Sequence, residues 1–315
     1  MLKTADQNGE LLAPPAVRLR SASSIRNSGN GWLPGLEPSE EAVRPFLRWA
    51  GGKTRLMQVL LPHFPSQFAS YHEPFLGGGS VFFAVRNRAQ KRIFLSDLNT
   101  ELINAWQVVR DFPEEFLSSL EPYSFKTGEK GYYFVRDEEA PTHSIERAAR
   151  FFYLNQTSWN SLWRVNRWGV FNVPWGARGF RGISASELQT VSAALQPVCI
   201  EELDFREALE RPNKGDFVYL DPPYLPVSDT SKFAGYTEKR FRIACLSELA
   251  TCCERLSARG VSWVLSNRDT RSVRELFSFA KFFALTTRRS VAAQNRRDVE
   301  PSASPEIIVI GKGKS

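Results

Sequence analysis

Short apolar runs recur along the chain at Ile93-Phe94-Leu95, Val198-Cys199-Ile200, Phe217-Val218-Tyr219-Leu220 and Val261 to Leu265. Helical or turn-rich segments separate them, which is the pattern of buried strands joined by crossover helices. The rhythm predicts an α/β fold around a mostly parallel sheet. A last run, Ile307-Ile308-Val309-Ile310, is expected to close that sheet as an antiparallel partner of Phe283-Ala284-Leu285-Thr286. A helix is expected from Thr54 to Leu61, and a short strand leading into a helix across Glu73 to Val81.

The rhythm breaks once. From about Asp111 to Pro197 the chain turns aromatic and basic, with helical segments and a hairpin-like stretch. This predicts a module, residues 111–197, inserted into a sheet-bearing domain made of residues 44–110 and 198–315. Residues 1–43 are rich in Pro, Ser, Asn and Gly without periodicity and are expected to be a disordered extension.

Composition narrows the class. The 315 residues suffice for an α/β core and a smaller module. The 41 basic and 34 acidic residues give +7, a balance compatible with a nucleic-acid partner but not proof of one. Cys199, Cys245 and the adjacent Cys252-Cys253 have neither zinc-ligand nor disulfide-framework spacing, so no metal and a reducing cytoplasm are expected. No apolar stretch is long enough for a bilayer and the N-terminus lacks a secretory h-region, so no membrane partner is expected.

The most telling chemistry is Asp221-Pro222-Pro223-Tyr224, directly after the run Phe217–Leu220. Open α/β sheets bind ligands at the C-terminal ends of their strands. There the double proline keeps the chain out of a helix and leaves the Pro222 carbonyl facing a cleft. A ring that stacks, with a carboxylate and a carbonyl that accept hydrogen bonds, suits a flat nitrogen heterocycle bearing an exocyclic amine.

Three further segments carry weaker signals. In Glu73-Pro74-Phe75-Leu76-Gly77-Gly78-Gly79-Ser80-Val81, Gly77 and Gly79 match the first two glycines of a dinucleotide fingerprint, but Phe82 holds the third position. The glycines fit close approach of a ligand or a plain structural turn. Asp97 ends the next strand about 20 residues on, where ribose hydroxyls meet a carboxylate; it could equally cap a helix starting near Leu98. Gly52-Lys53-Thr54 resembles half of a phosphate loop, yet position 47 is Leu, which disfavours a nucleotide triphosphatase. Lys53 then reads as a charge near a ligand carboxylate or as a solvated lysine at a helix start.

Within the insert, Arg164, Asn166, Arg167, Asn172 and Pro174 interleave with Trp159, Trp163, Trp168 and Trp175 around turn glycines. Arg and Asn are the side chains that read purine edges, and a bulky group can wedge between base steps. A hairpin packed on the core is the alternative, especially for Phe171 and Val173. Arg288, Arg289, Arg296 and Arg297 are candidate phosphate contacts, or a solvated charge run.

Together, the Arg-Trp-Ala-Gly-Gly-Lys start at Arg48, Glu-Pro-Phe-Leu-Gly-Gly-Gly-Ser at Glu73, Ser-Asp-Leu-Asn at Ser96, Phe-Asn-Val-Pro-Trp-Gly at Phe171 and Asp-Pro-Pro-Tyr at Asp221 resemble, in order, the Dam-type or D12 class of DNA adenine methyltransferases. The likeness runs from about Pro45 to Lys312. It implies a Rossmann-like S-adenosylmethionine-dependent methyltransferase fold with a helical and β-hairpin target-recognition insert, acting on adenine N6 in double-stranded DNA. It implies S-adenosylmethionine contacts from Trp49, Lys53, Phe75, Gly77, Asp97, Asp204, Phe205 and Asp221, and a target-base pocket at Asp221 to Tyr224. Arg164, Asn166 and Pro174 match relatives that methylate GATC, whereas Trp175 replaces the usual Phe, and Cys245-Leu246 stands near a usual Asp-Gln pair. Ser231 to Thr237 and Leu265-Ser266-Asn267 are also similar to the family. A monomer or weak dimer is expected. An N4-cytosine methyltransferase and a DNA-binding regulator without catalysis are the competing readings.

Overall fold

In the computed structural model, the described residues are 43–225, 241–287 and 304–311. The expected extension, the Ser231–Thr237 segment and the arginines at 288, 289, 296 and 297 lie outside them, apart from Val43. The described strands are β1 (Tyr71–Glu73), β2 (Ile93–Asp97), β3 (Val198–Glu202), β4 (Phe217–Leu220), β5 (Ser262–Arg268), β6 (Lys281–Thr287) and β7 (Ser304–Gly311). They form one sheet in the order β3-β2-β1-β4-β5-β7-β6. Pairing is parallel from β3 through β5 and antiparallel around β7.

The expected pairing of the last apolar run holds, with Phe283 opposite Ile308 and Ala284 opposite Ile307. Its place differs from the expectation. β7 does not close the sheet but runs between β5 and β6, with Leu265 opposite Val309, so β6 forms the edge. The reason is burial: Ile307, Ile308 and Val309 are enclosed on both faces, whereas Phe283 and Ala284 are exposed.

β4 is buried on both faces. It sends Phe217 and Tyr219 into the larger apolar cluster and Val218 and Leu220 into the second, which explains a continuous apolar run rather than an alternating one. The chain order reverses at β1 and β4, so the crevice beyond their C-terminal ends is the topological switch point.

The expected helix Thr54–Leu61 is broken into 3-10 turns at Lys53–Leu56 and Leu61–His63 flanking one α-turn at Met57–Leu60. Too few residues are available there to propagate an α-helix once nucleated. Between β2 and β3 lie the α-helices Thr100–Asp111, Pro113–Ser119, Gly128–Asp137, Ser144–Thr157 and Ala185–Leu195. The helix Ser144–Thr157 packs along Thr100–Asp111, and its Phe151, Phe152 and Leu154 join the core that also takes Tyr71 and Tyr219 from the sheet. The insert therefore shares its core with the sheet, and the described residues from Val43 onward belong to one compact unit.

Candidate active site

A cleft of about 810 Å³ opens at the switch point. The glycine loop, Trp49 to Lys53, Asp97, Asp204, Phe205 and Asp221 to Tyr224 all line it, so every residue expected to hold S-adenosylmethionine or the target base comes to one place.

Asp221 follows the last residue of β4 and is held by two donors. Lys53 Nζ lies 2.6 Å from its Oδ2, and Ser266 Oγ donates to its Oδ1 at 3.0 Å. A serine has one hydroxyl hydrogen, already given to Asp221, so Tyr219 is the donor in its 2.8 Å contact with Ser266 Oγ. Tyr219 and Ser266 are both buried, and the chain Tyr219, Ser266, Asp221 fixes the carboxylate from behind.

The reading of Lys53 as a solvated lysine is corrected by its exposure of 3%. Its Nζ donates to Gly51 O at 2.9 Å as well as to Asp221, and its backbone N–H donates to Ser80 Oγ at 3.2 Å. Burial works against its charge, yet the Asp221 carboxylate more than offsets this and holds the ammonium above the ordinary lysine range. Lys53 is thus directly the partner of Asp221.

Asp97 is not the helix cap. Asn99 caps Thr100–Asp111, accepting from Leu102 N at 3.2 Å, because the helix begins two residues later than expected. Freed of that task, Asp97 ties two loops: its Oδ2 accepts from Gly77 N at 3.1 Å and its Oδ1 from Asn99 N at 3.0 Å. Burial pushes its carboxyl up, with these N–H groups opposing the rise. The Leu98 N–H also acts on this carboxylate, and Asp97 lines the cleft.

The three glycines admit indole rings as well as a cleft. A Cβ on Gly77 would lie 2.6 Å from the Trp49 ring, and one on Gly79 would lie 2.5 Å from the Trp106 ring. Both glycines have positive φ, 48° and 65°. Trp106 Nε1 also donates to Gly77 O at 3.2 Å. Trp49 is set from the other side by the insert: buried Asn155 accepts from Arg48 N at 3.0 Å and donates to Arg48 O at 2.7 Å.

Phe75 and Phe205 stack with centroids 5.5 Å apart, and Phe241 meets Phe75 edge-on at 6.0 Å. Asp204 caps the short helix Phe205–Ala208 and holds Arg206 through contacts at 2.9 and 3.0 Å. Tyr224 has Lys53 Nζ 5.5 Å from its ring centre.

Sequence reasoning gave no role to Tyr219, Ser266 or the buried acid Glu73. Glu73 is 3% exposed, and Tyr71 Oη donates to its Oε2 at 2.8 Å. Burial first, then the nearby Asp221 and Asp97 charges, pushes its carboxyl up to about 8 against the opposing hydrogen bonds. The clue was available: an acid inside a strand that must be buried on both faces has no solvent to reach.

The insert's polar residues lie away from this cleft, on a hairpin. Val165 bridges Phe171, while Asn172 N donates to Arg164 O at 3.1 Å. Arg164 Nε donates to Asn172 Oδ1 at 2.8 Å, and Asn166 Oδ1 accepts from Trp168 N and Val170 N, closing the turn. Arg164, Asn166 and Asn172 therefore shape the hairpin. Arg167 stacks over Trp168 at 4.1 Å, Trp168 is 70% exposed, and Pro174 is exposed, while Phe171 and Val173 are buried. The packed-hairpin reading holds for Phe171 and Val173, which join the core.

Among the described residues, no group of His, Cys, Asp or Glu has a metal-binding arrangement, and no helix is long and apolar enough to cross a membrane.

Comparison with known proteins agrees with the site. Residues 49–291 match the family D12 class N6 adenine-specific DNA methyltransferase. The Type II methyltransferase M1.LlaDCHI of Lactococcus lactis subsp. cremoris is 32% identical over 268 residues, covering 82% of this chain and 93% of the relative. The DNA adenine methylase of Haemophilus influenzae is 32% identical over 262 residues, covering 82% and 91%. That of Escherichia coli K12 is 31% identical over 253 residues, covering 79% and 90%. The chain, with its Asp-Pro-Pro-Tyr segment at the switch point of a Rossmann-like sheet, belongs to the D12 class of N6 adenine-specific DNA methyltransferases.

Proposed function

We propose that this enzyme moves a methyl group from S-adenosylmethionine to the N6 amine of an adenine everted from double-stranded DNA. The single observation that carries the reading is Asp221, gripped by Lys53 and Ser266 at the edge of a cleft that also holds Asp97 and the Phe75–Phe205 stack. The cleft suits the donor: the Asp97 carboxylate for ribose hydroxyls, phenyl rings for the adenine ring, and a glycine loop lining the cavity. When bound, S-adenosylmethionine supplies an electrophilic methyl on a sulfonium.

The protein's part is to prepare the amine. Its lone pair is delocalised into the purine ring. Asp221 and the Pro222 carbonyl accept its two N–H bonds, drawing the nitrogen toward tetrahedral geometry and freeing the lone pair for attack. Positive charge then develops on that nitrogen beside the Asp221 carboxylate, and the proton leaves during or after transfer. Tyr224 stacks on the everted base, whose removal from the duplex costs a few kcal/mol.

Residues 111–197 act as the target-recognition unit, with Arg167, Trp168 and Pro174 presented toward DNA and Arg164, Asn166 and Asn172 holding the hairpin in shape. GATC is the first sequence to try, in a cytoplasmic enzyme acting as a monomer or weak dimer. The test is transfer of labelled methyl to a GATC duplex followed by nucleoside mass analysis. N6-methyladenine is expected, and near-complete loss with Asp221→Ala while cofactor binding is largely kept. N4-methylcytosine, or full turnover by Asp221→Ala, would overturn the reading.

A further inference from the structure

We infer that Arg268 is a clamp for the phosphodiester of the everted nucleotide, an inference that rests on Asp221 to Tyr224 being the target-base pocket. Arg268 ends β5, two residues beyond Ser266. Side chains two apart on a strand share a face, so Arg268 stands on the face where Ser266 donates to Asp221, one step nearer the rim. Its guanidinium carbon lies 5.8 Å from the centre of the Tyr224 ring.

Two cations thus flank the ring on which the base would stack, and they differ in one respect. Lys53 is neutralised by Asp221 at 2.6 Å. Arg268 is half-buried, and its Nε is enclosed without an acceptor. Glu306 stands opposite it in the strand register, but among the described residues no ion pair or hydrogen bond engages the Arg268 guanidinium. An enclosed, unanswered guanidinium N–H is costly to leave so and calls for an acceptor.

An everted nucleotide brings one. Its amine is already assigned to Asp221 and Pro222, and its ring nitrogens are neutral single acceptors. The phosphodiester is anionic and matches the planar fork of donors that arginine presents. Arg268 would hold the backbone of the extruded nucleotide while Tyr224 holds the base, and so stabilise the extrahelical state rather than the duplex complex.

The experiment is a double-mutant cycle on a duplex carrying the methylated site as mapped by sequencing. Wild type and Arg268→Gln are compared on the native duplex and on duplexes with a neutral methylphosphonate at either phosphate flanking the target adenine. Arg268→Gln is expected to lower kcat/KM on the native duplex about 10- to 100-fold, the range of a lost charge-assisted hydrogen bond. One of the two methylphosphonates should lower wild type by a similar factor and leave Arg268→Gln nearly unchanged, with Arg268→Lys recovering part of the loss. Additive losses at both phosphates, or unaltered kcat/KM in Arg268→Gln, would sink the proposal. Should the variant fail to fold, wild type alone decides, since indifference to both neutral phosphates refutes the clamp. Failure of wild type to methylate adenine in the native duplex would instead overturn the pocket assignment beneath it.

Discussion

Glu73 makes the stability of this enzyme depend on pH in a direction that can be worked out. Its carboxyl is pushed up to about 8 in the fold, against 4.5 when free, because burial and the nearby Asp221 and Asp97 charges outweigh the opposing hydrogen bond from Tyr71. Between those values the unfolded chain has released the proton and the native protein has kept it. The native state binds more protons, so this group's contribution to stability falls as pH rises from about 4.5 to 8 and levels off above. Each unit is worth about 1.4 kcal/mol, so the loss between pH 5 and pH 8.5 is on the order of 4 kcal/mol. Glu73→Gln preserves shape and keeps an acceptor for Tyr71 Oη while removing the titration. Urea midpoints of both proteins at pH 5 and pH 8.5 give the comparison, and all other titrations cancel in the difference. The glutamine variant should gain several kcal/mol relative to wild type at the higher pH. Parallel pH profiles for the two proteins would refute the argument.

Two further outcomes follow from the geometry. Gly79→Ala meets both a φ of 65° and the Trp106 ring at 2.5 Å, whereas Gly128→Ala has the same φ of 65° and open space. Calorimetry should therefore show a cost of about 1–2 kcal/mol at Gly128 and about 2–4 kcal/mol at Gly79; equal losses would mean that the indole contact contributes nothing. Ser266→Ala removes the donor to Asp221 Oδ1 and should reduce kcat about tenfold with little change in KM for DNA, while Ser266→Thr keeps the hydroxyl and much of the rate. A variant with full kcat would show that Lys53 alone orients the carboxylate.

The centre of the sheet was legible because β4, β5 and β7 are buried on both faces and read as unbroken apolar runs. β1, with Tyr71, His72 and Glu73, was legible only through the glycines that follow it, since its polar letters hide a fully buried strand. The position of β7 was not legible: pairing partners can be read from pattern, but which of two apolar strands takes the edge depends on what covers each face. The candidate site was legible as segments and not as contacts. Asp97, Asp221 and Lys53 were found by position in their motifs, whereas the Lys53–Asp221 pair joins residues 168 apart and no local pattern encodes it.

That pair also explains why the glycine-rich start and the Asp-Pro-Pro-Tyr segment must occur together. An enclosed carboxylate without a partner would be driven to neutralise, and an enclosed ammonium likewise. Lys53 and Asp221 each supply what the other lacks, and Ser266 fills the second carboxylate oxygen. Asp221 is consequently held in a fixed orientation before any substrate arrives. Removing Lys53 would leave the anion enclosed and unmatched, while removing Asp221 would strand the cation. The two motifs therefore form one charge-balanced unit, assembled across the switch point by the pairing of β1 with β4.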